Sequence, residues 1–376
     1  MGRVGVMSMQ RIANYGSFLQ AYALKTMIEE LGFEVQFVDY HVGVPVVRNI
    51  DESNRKITRA FKKVSEIFCL HAPLTHKLAF IQYKRRYADK YMPLLGVTSK
   101  RNFNPTLDCL VIGSDEVFNC IQKNVNVGFS PELFGAHNNA NRVITYAASF
   151  GNTTLDKLRK YEKDLEIASY LSKIDAISVR DKNSGDIVVS LIDKKPEYHL
   201  DPVLVYDYFG KCQHIPNISF NEKYLVLYAY SGRITENESE WISRYAKQRG
   251  LKIYAIGGIQ KCADRFIDCS PFEVLSYFRN AEEVITDTFH GSIFSIISQR
   301  KFVTIVRKSR NNTYGNEEKI TDLLKRVGLE NRYVYDIKEG EEVLQKDINY
   351  HSVFDILERE REKTYLYLSE NLKAKK

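Results

Sequence analysis

Within residues 286–299 (TDTFHGSIFSIISQ) a single histidine, His290, falls on a turn between an apolar strand-like run, 283–286, and a run that reads as a buried helix. Helix N-termini leave backbone N–H groups unpaired and carry the positive end of the helix dipole. The amides of Gly291 and Ser292 are therefore expected to form an anion site beside the imidazole. Asp287 and Thr288 come just before the histidine, and Gly291 leaves room for a ligand to approach. A solitary histidine is usually a packing or surface residue. Its place on a strand-to-helix turn gives this one a chemical reading.

The elements that must position partners for this imidazole alternate along the chain. In the first half, residues 3–9 read as a strand, 17–31 as a helix stopped by Gly32, and 33–40 as a second strand. Apolar runs at 107–113, 143–148 and 174–179 read as further strands, with a helix over 155–171 between the last two. The second half repeats the pattern: strands at 224–230, 251–258, 283–286 and 301–306, and helices at 236–249 and 271–281. Strand–helix–strand alternation implies parallel sheets and an α/β fold. In such sheets ligands bind off the carboxyl ends of the strands.

Those ends carry Asn14, Asp115, Ser149, Arg180, Ser231 with Arg233, Gly257 with Gly258, His290 and Arg307. The first loop lacks a G-x-G-x-x-G fingerprint. Asn14, Gly16 and Ser17 either hold a phosphate or a sugar hydroxyl there, or simply cap a helix. Arg180, Arg307 and His290 suit a ligand bearing phosphate and carboxylate. Ser114-Asp115-Glu116 offers carboxylates for sugar hydroxyls or for a base. Lys301 begins its strand and is expected to point away.

Length and composition frame these residues. A chain of 376 residues is long for one core, so two Rossmann-like domains are expected, their strand ends facing a common cleft. The expected boundaries are 1–207 with a charged helical insertion at about 51–95, then 222–350, then a C-terminal helix, 351–376, packing back on the first domain. With 54 Lys and Arg against 47 Asp and Glu, the net charge of +7 is spread along the chain. That favours small anionic ligands or an anionic membrane surface and argues against nucleic acid, for which the charge would form a stripe. The six cysteines have no metal-ligand or CxxC spacing, so reduced thiols and no metal are expected. No apolar run approaches a membrane span and no leader precedes the first strand, which points to the cytoplasm.

The segments NYGSFLQAYAL near the start, VIGSDEVFN at 111–119, ISVRDKNS at 177–184, LDPV at 200–203 and TDTFHGSIFSI at 286–296 together resemble the polysaccharide pyruvyl transferase family. The resemblance covers most of the chain in the right order, and its VRD and FHG motifs are fairly specific. It implies a two-domain architecture similar to GT-B glycosyltransferases. It also implies transfer of the enolpyruvyl group of phosphoenolpyruvate onto two sugar hydroxyls as a cyclic ketal, with no further cofactor.

Arg180 and His290 match the positions that would hold phosphoenolpyruvate, in the second domain for His290, with the glycan acceptor on the first. Many relatives carry a basic residue two positions before the histidine. This chain has Thr288, as in a TFHG or SFHG subgroup, and Arg307, Lys308 or Arg310 would then have to supply that charge. The acceptor is expected to be a cell-surface glycan or its polyprenyl-diphosphate-linked precursor, with peripheral contact to the inner membrane through the basic helices at 55–90. A nucleotide-sugar glycosyltransferase and a non-catalytic glycan-binding assembly protein are the competing readings.

Overall fold

The computed structural model describes residues 2–47, 65–122, 124–308 and 315–373. The chain divides into two compact units, one made of Met1–Ile50, Met92–Tyr206 and Phe354–Lys376, the other of Asp51–Tyr91 and Asp207–Val353.

The first unit is built on a six-stranded parallel sheet: β1 (Arg3–Met7), β2 (Glu34–Phe37), β3 (Cys109–Asp115), β4 (Val143–Ala148), β5 (Ser178–Val179) and β6 (Glu197–Tyr198), in the order β2-β1-β3-β4-β5-β6. Cys109, Leu110, Val111 and Ile112 are all buried. A continuous apolar run without alternation is what a strand covered on both faces requires. Helix α1 (Tyr15–Glu30) starts where the Asn14 side chain accepts from the Ser17 amide, and α2 (Lys182–Ile192) starts on an equivalent cap from Asp181. The helix expected over 155–171 is broken into Leu155–Lys160 and Asp164–Leu171, with Glu162 between them at φ 54°.

The second unit repeats the plan with β7 (Tyr224–Tyr228), β8 (Lys252–Ile256), β9 (Arg265–Phe266), β10 (Glu283–Thr286), β11 (Lys301–Ile305) and β12 (Tyr333–Val334), in the order β9-β8-β7-β10-β11-β12, all parallel. Helices α3 (Glu236–Gln248) and α4 (Pro271–Asn280) each open with a full capping box, Thr235 with Glu238 and Ser270 with Glu273. Helix α5 (Phe289–Ile297) carries the histidine turn.

Two features of chain assignment stand out. Helix Leu74–Tyr91, expected as an insertion of the first domain, packs in the second unit. Its Phe80, Tyr83, Tyr87 and Tyr91 recur at helical spacing and are buried, and Phe80 and Tyr83 meet the Phe266 ring edge-on at 5.6 and 6.2 Å. Arg86 on the same helix pairs with Asp268, and Lys84 lies over the Phe80 and Tyr83 rings. Residues 55–64 of the basic stretch lie outside the described residues. The C-terminal helix Tyr350–Asn371 packs on the first unit, as expected: Tyr367 Oη donates to the Thr145 carbonyl at 2.7 Å, and the Thr364 and Tyr146 hydroxyls meet at 3.1 Å.

Candidate functional site

In both sheets the strand order reverses once, between β1 and β3 in the first unit and between β7 and β10 in the second. In a parallel sheet each switch point marks a crevice at the carboxyl ends of its own strands, so each unit has its own.

In the first unit, Asp115 ends β3 with a positive φ of 76°, a conformation uncommon outside glycine that turns its carboxylate out of the strand. The carboxylate accepts from Ser17 Oγ and from the Glu116 amide, each at 2.9 Å. Asn14 caps α1, accepting from the Ser17 amide at 2.7 Å, and Gly16 is buried in the same first turn. Ser114, expected at the substrate, is instead fully buried: its hydroxyl accepts from the Asp115 amide at 2.6 Å and donates to Asp201 at 3.4 Å. Glu116 accepts from the Asn119 side-chain amide at 2.7 Å.

Arg180 follows β5 and is only 4% exposed. Its Nη1 donates to Asp201 Oδ2 at 2.9 Å and lies 3.8 Å from Asp115 Oδ1. Burial works against the charge, but Asp201, Asp115, Asp181 and Glu116 outweigh it and hold the guanidinium above its ordinary value. Asp201 also caps the short helix Pro202–Val205, so its turn-fixing role and its pairing with Arg180 coexist. Arg180, Asp115 and Ser17 thus form one connected polar cluster at the first crevice.

In the second unit, Thr288 is the N-cap of α5, its hydroxyl accepting from the Gly291 amide at 2.9 Å. The Ser292 amide donates to the Thr288 carbonyl at 3.2 Å, and its hydroxyl meets Thr304 Oγ1 at 2.8 Å. The two amides expected to cradle an anion therefore have internal partners: the cap threonine's hydroxyl takes the Gly291 amide, and the first regular helical bond takes the Ser292 amide. Gly291 also serves packing more than ligand approach, since a Cβ there would lie 2.0 Å from Thr286 Oγ1 and 2.8 Å from Thr286 Cβ. Gly291→Ala would ordinarily gain helix propensity; here it is expected to lose about 1–3 kcal/mol to overpacking. A urea midpoint at or above that of the parent would contradict this account.

His290 is half-buried in the first turn of α5, its ring 5.4 Å from Phe289 and 6.0 Å from Phe294. Arg307, expected as the replacement charge, is committed elsewhere: Nη1 and Nη2 reach the two oxygens of Glu238 at 2.6 and 2.9 Å. Burial opposes ionisation of Glu238, yet this fork and the Thr235 amide keep its pKa below the usual value. Lys308 extends its ammonium over the Tyr335 ring at 4.6 Å, and Arg310 lies outside the described residues.

The pairing that sequence reasoning missed joins Arg233, 3.9 Å away, to the fully buried Asp287. Arg233 is legible as a strand-end residue and Asp287 as a carboxylate just before the histidine, but nothing in their spacing shows that they meet. Among the described residues, no group of three His, Cys, Asp or Glu is placed to hold a metal ion, and no helix is long and apolar enough to cross a membrane.

A family model described as polysaccharide pyruvyl transferase matches residues 14–309, which include every strand-end residue named above. No curated protein matches the chain. Among solved structures, the UDP-GlcNAc 2-epimerase of Methanocaldococcus jannaschii is similar at a TM-score of 0.51 and 11% identity, covering 98% of this chain and 99% of that one. The S. aureus MnaA–UDP co-structure is similar at a TM-score of 0.47 and 10% identity, over 99% and 91% of the two chains. The likeness to the first supports a GT-B-like α/β fold and says nothing of the ligand.

Proposed function

Because the chain belongs to the polysaccharide pyruvyl transferase family, we propose that it moves the enolpyruvyl group of phosphoenolpyruvate onto two hydroxyls of a hexose, with galactose the first choice, in a surface glycan or its lipid-linked precursor. The observation that carries this reading is that the family match spans both crevices, with the Asp115–Arg180 cluster in one and the His290 turn in the other.

The chemistry asks for a proton on the methylene carbon of the enol phosphate, which turns that carbon into a methyl group and leaves an oxocarbenium centre on its neighbour. One sugar hydroxyl adds to this centre and gives up its proton. A second hydroxyl then displaces inorganic phosphate, closing the cyclic ketal and losing its proton in turn.

His290 fits delivery of the first proton or clamping of the anion, and Asp115, with Glu116 beside it, fits removal of the hydroxyl protons. In this reading no cofactor beyond phosphoenolpyruvate is used, and the enzyme works in the cytoplasm on an acceptor presented at the membrane face.

The test is incubation of the purified protein with phosphoenolpyruvate and a panel of galactose-containing glycans, free and polyprenyl-linked. Phosphate release with a ketal-linked pyruvyl group on the acceptor is expected. His290→Ala should lower kcat by about 10²–10⁴-fold, the range for loss of a general acid–base group. Consumption of nucleotide sugars with phosphoenolpyruvate untouched would replace this reading with a glycosyltransferase. Full activity in His290→Ala would remove that residue from the site.

A further inference from the structure

The turn after β7 and the end of β10 flank the reversal of strand order in the second sheet, and each contributes one charged residue: Arg233 from the first and Asp287 from the second. Asp287 is fully buried. Among the described residues, neither of its oxygens has a partner in ordinary hydrogen-bond geometry, and the one backbone group that acts on the carboxylate as a weak donor is that of Tyr230.

A carboxylate with so little hydrogen bonding is costly to keep ionised in an interior, so its charge must be balanced largely by neighbouring cations. Arg233 does this across 3.9 Å, a separation at which charge acts without a directed hydrogen bond. The next cation, Arg307, is neutralised by its fork on Glu238. The Arg233 side chain keeps 31% exposure and lies over the Tyr230 ring at 4.8 Å, so its guanidinium is both near the buried acid and partly exposed to solvent.

We propose that Arg233 is the anion-binding side chain of the second crevice and Asp287 its buried counter-ion, so that a phosphate or carboxylate group engaging Arg233 is accompanied by proton uptake at Asp287. This assigns the anion contact that Thr288 does not supply. It rests on reading this crevice as the phosphoenolpyruvate side, but its test needs no turnover.

The groups acting on Asp287 are Arg233 from the turn after β7, Arg307 after β11, and Glu238 on α3; Asn316 donates to its backbone carbonyl at 2.6 Å. Burial pushes its pKa up to about 6, Arg233 and Arg307 pull it down, and Glu238 pushes it up. When a ligand anion pairs with Arg233 it cancels the larger of the two restraining charges. The carboxyl then takes a proton at neutral pH.

Sulfate is the probe, because it stays a dianion throughout the working range and contributes no titration of its own. Isothermal titration of the full chain in two buffers of unlike ionisation enthalpy should show close to one proton taken up per sulfate at about pH 7. The affinity should weaken towards tenfold per pH unit as the free protein's Asp287 ionises. Asp287→Asn should bind sulfate with neither proton uptake nor pH slope, and Arg233→Gln should lose binding.

Sulfate that fails to bind the parent, binds without proton exchange, or binds Arg233→Gln equally well would overturn the proposal, as would an unchanged pH slope in Asp287→Asn. Pyruvyl transfer without proton-linked binding would sink this inference alone. Proton-linked sulfate binding without turnover would sink the transferase reading alone.

Discussion

Arg180→Ala is expected to unfold at markedly lower denaturant, with a loss of about 3–5 kcal/mol, the usual cost of removing one partner of a buried ion pair. Asp201 is fully buried, and its Oδ2 takes the Arg180 guanidinium at 2.9 Å, with Asp115 next in line at 3.8 Å. Removing the arginine strands two carboxylates that also hold the caps and turns at the first crevice.

Catalysis should fail as well, because Asp115 would lose the cation that orients it. A double variant, Arg180→Met with Asp201→Asn, separates the two effects. It should recover part of the stability, since Asp201 no longer leaves a fully buried charge unpaired while Asp115 still lacks its cation, and none of the activity. A loss below about 1 kcal/mol in Arg180→Ala would mean that water reaches the cluster and screens it.

The second large effect has the opposite sign. Burial raises the Asp287 carboxyl from 3.8 to about 6. An acid that holds its proton more tightly when folded stabilises the protein while protonated, and that advantage is lost as pH rises through the window from about 4 to 6. A rise of about two units corresponds to roughly 3 kcal/mol, a cost fully present above the folded value.

Asp287→Asn keeps the shape and removes the charge. It is therefore expected to be more stable than the parent by up to about 3 kcal/mol at pH 8 and nearly equal to it at pH 4. Urea unfolding across that range checks both ends. A variant less stable at pH 8 would show that the ionised carboxylate is better solvated than its burial implies.

Much of the scaffold was legible because short continuous apolar runs such as Cys109-Leu110-Val111-Ile112, too short for a helix and alternating with helical segments, fit a doubly covered strand. The strand-end rule then located Asn14, Asp115, Arg180 and His290 without any contact being known. The helix at 74–91 was misassigned for a reason of the same kind. An aromatic stripe shows that a helix buries a face, but not which sheet receives it; here Phe266 does.

The anion site expected at Gly291 and Ser292 is closed for two reasons: the Thr288 hydroxyl takes the Gly291 amide, and Ser292 lies one residue past the open amides, where the helix pairs it with the Thr288 carbonyl. Arg307 was over-read because its partner, Glu238, lies far away in sequence on the first turn of α3, where it looks like a capping residue and nothing more.

The chain passes from the first unit to the second at Asp51, returns at Met92, leaves again at Asp207 and comes back at Phe354. On the ribosome this ordering reverses the usual N-terminus-first schedule. The part of the first sheet at Thr145 and Tyr146 cannot be covered until Thr364 and Tyr367 have been synthesised to meet it. The first unit is thus completed only by the part of the C-terminal helix that follows the whole of the second unit in the chain.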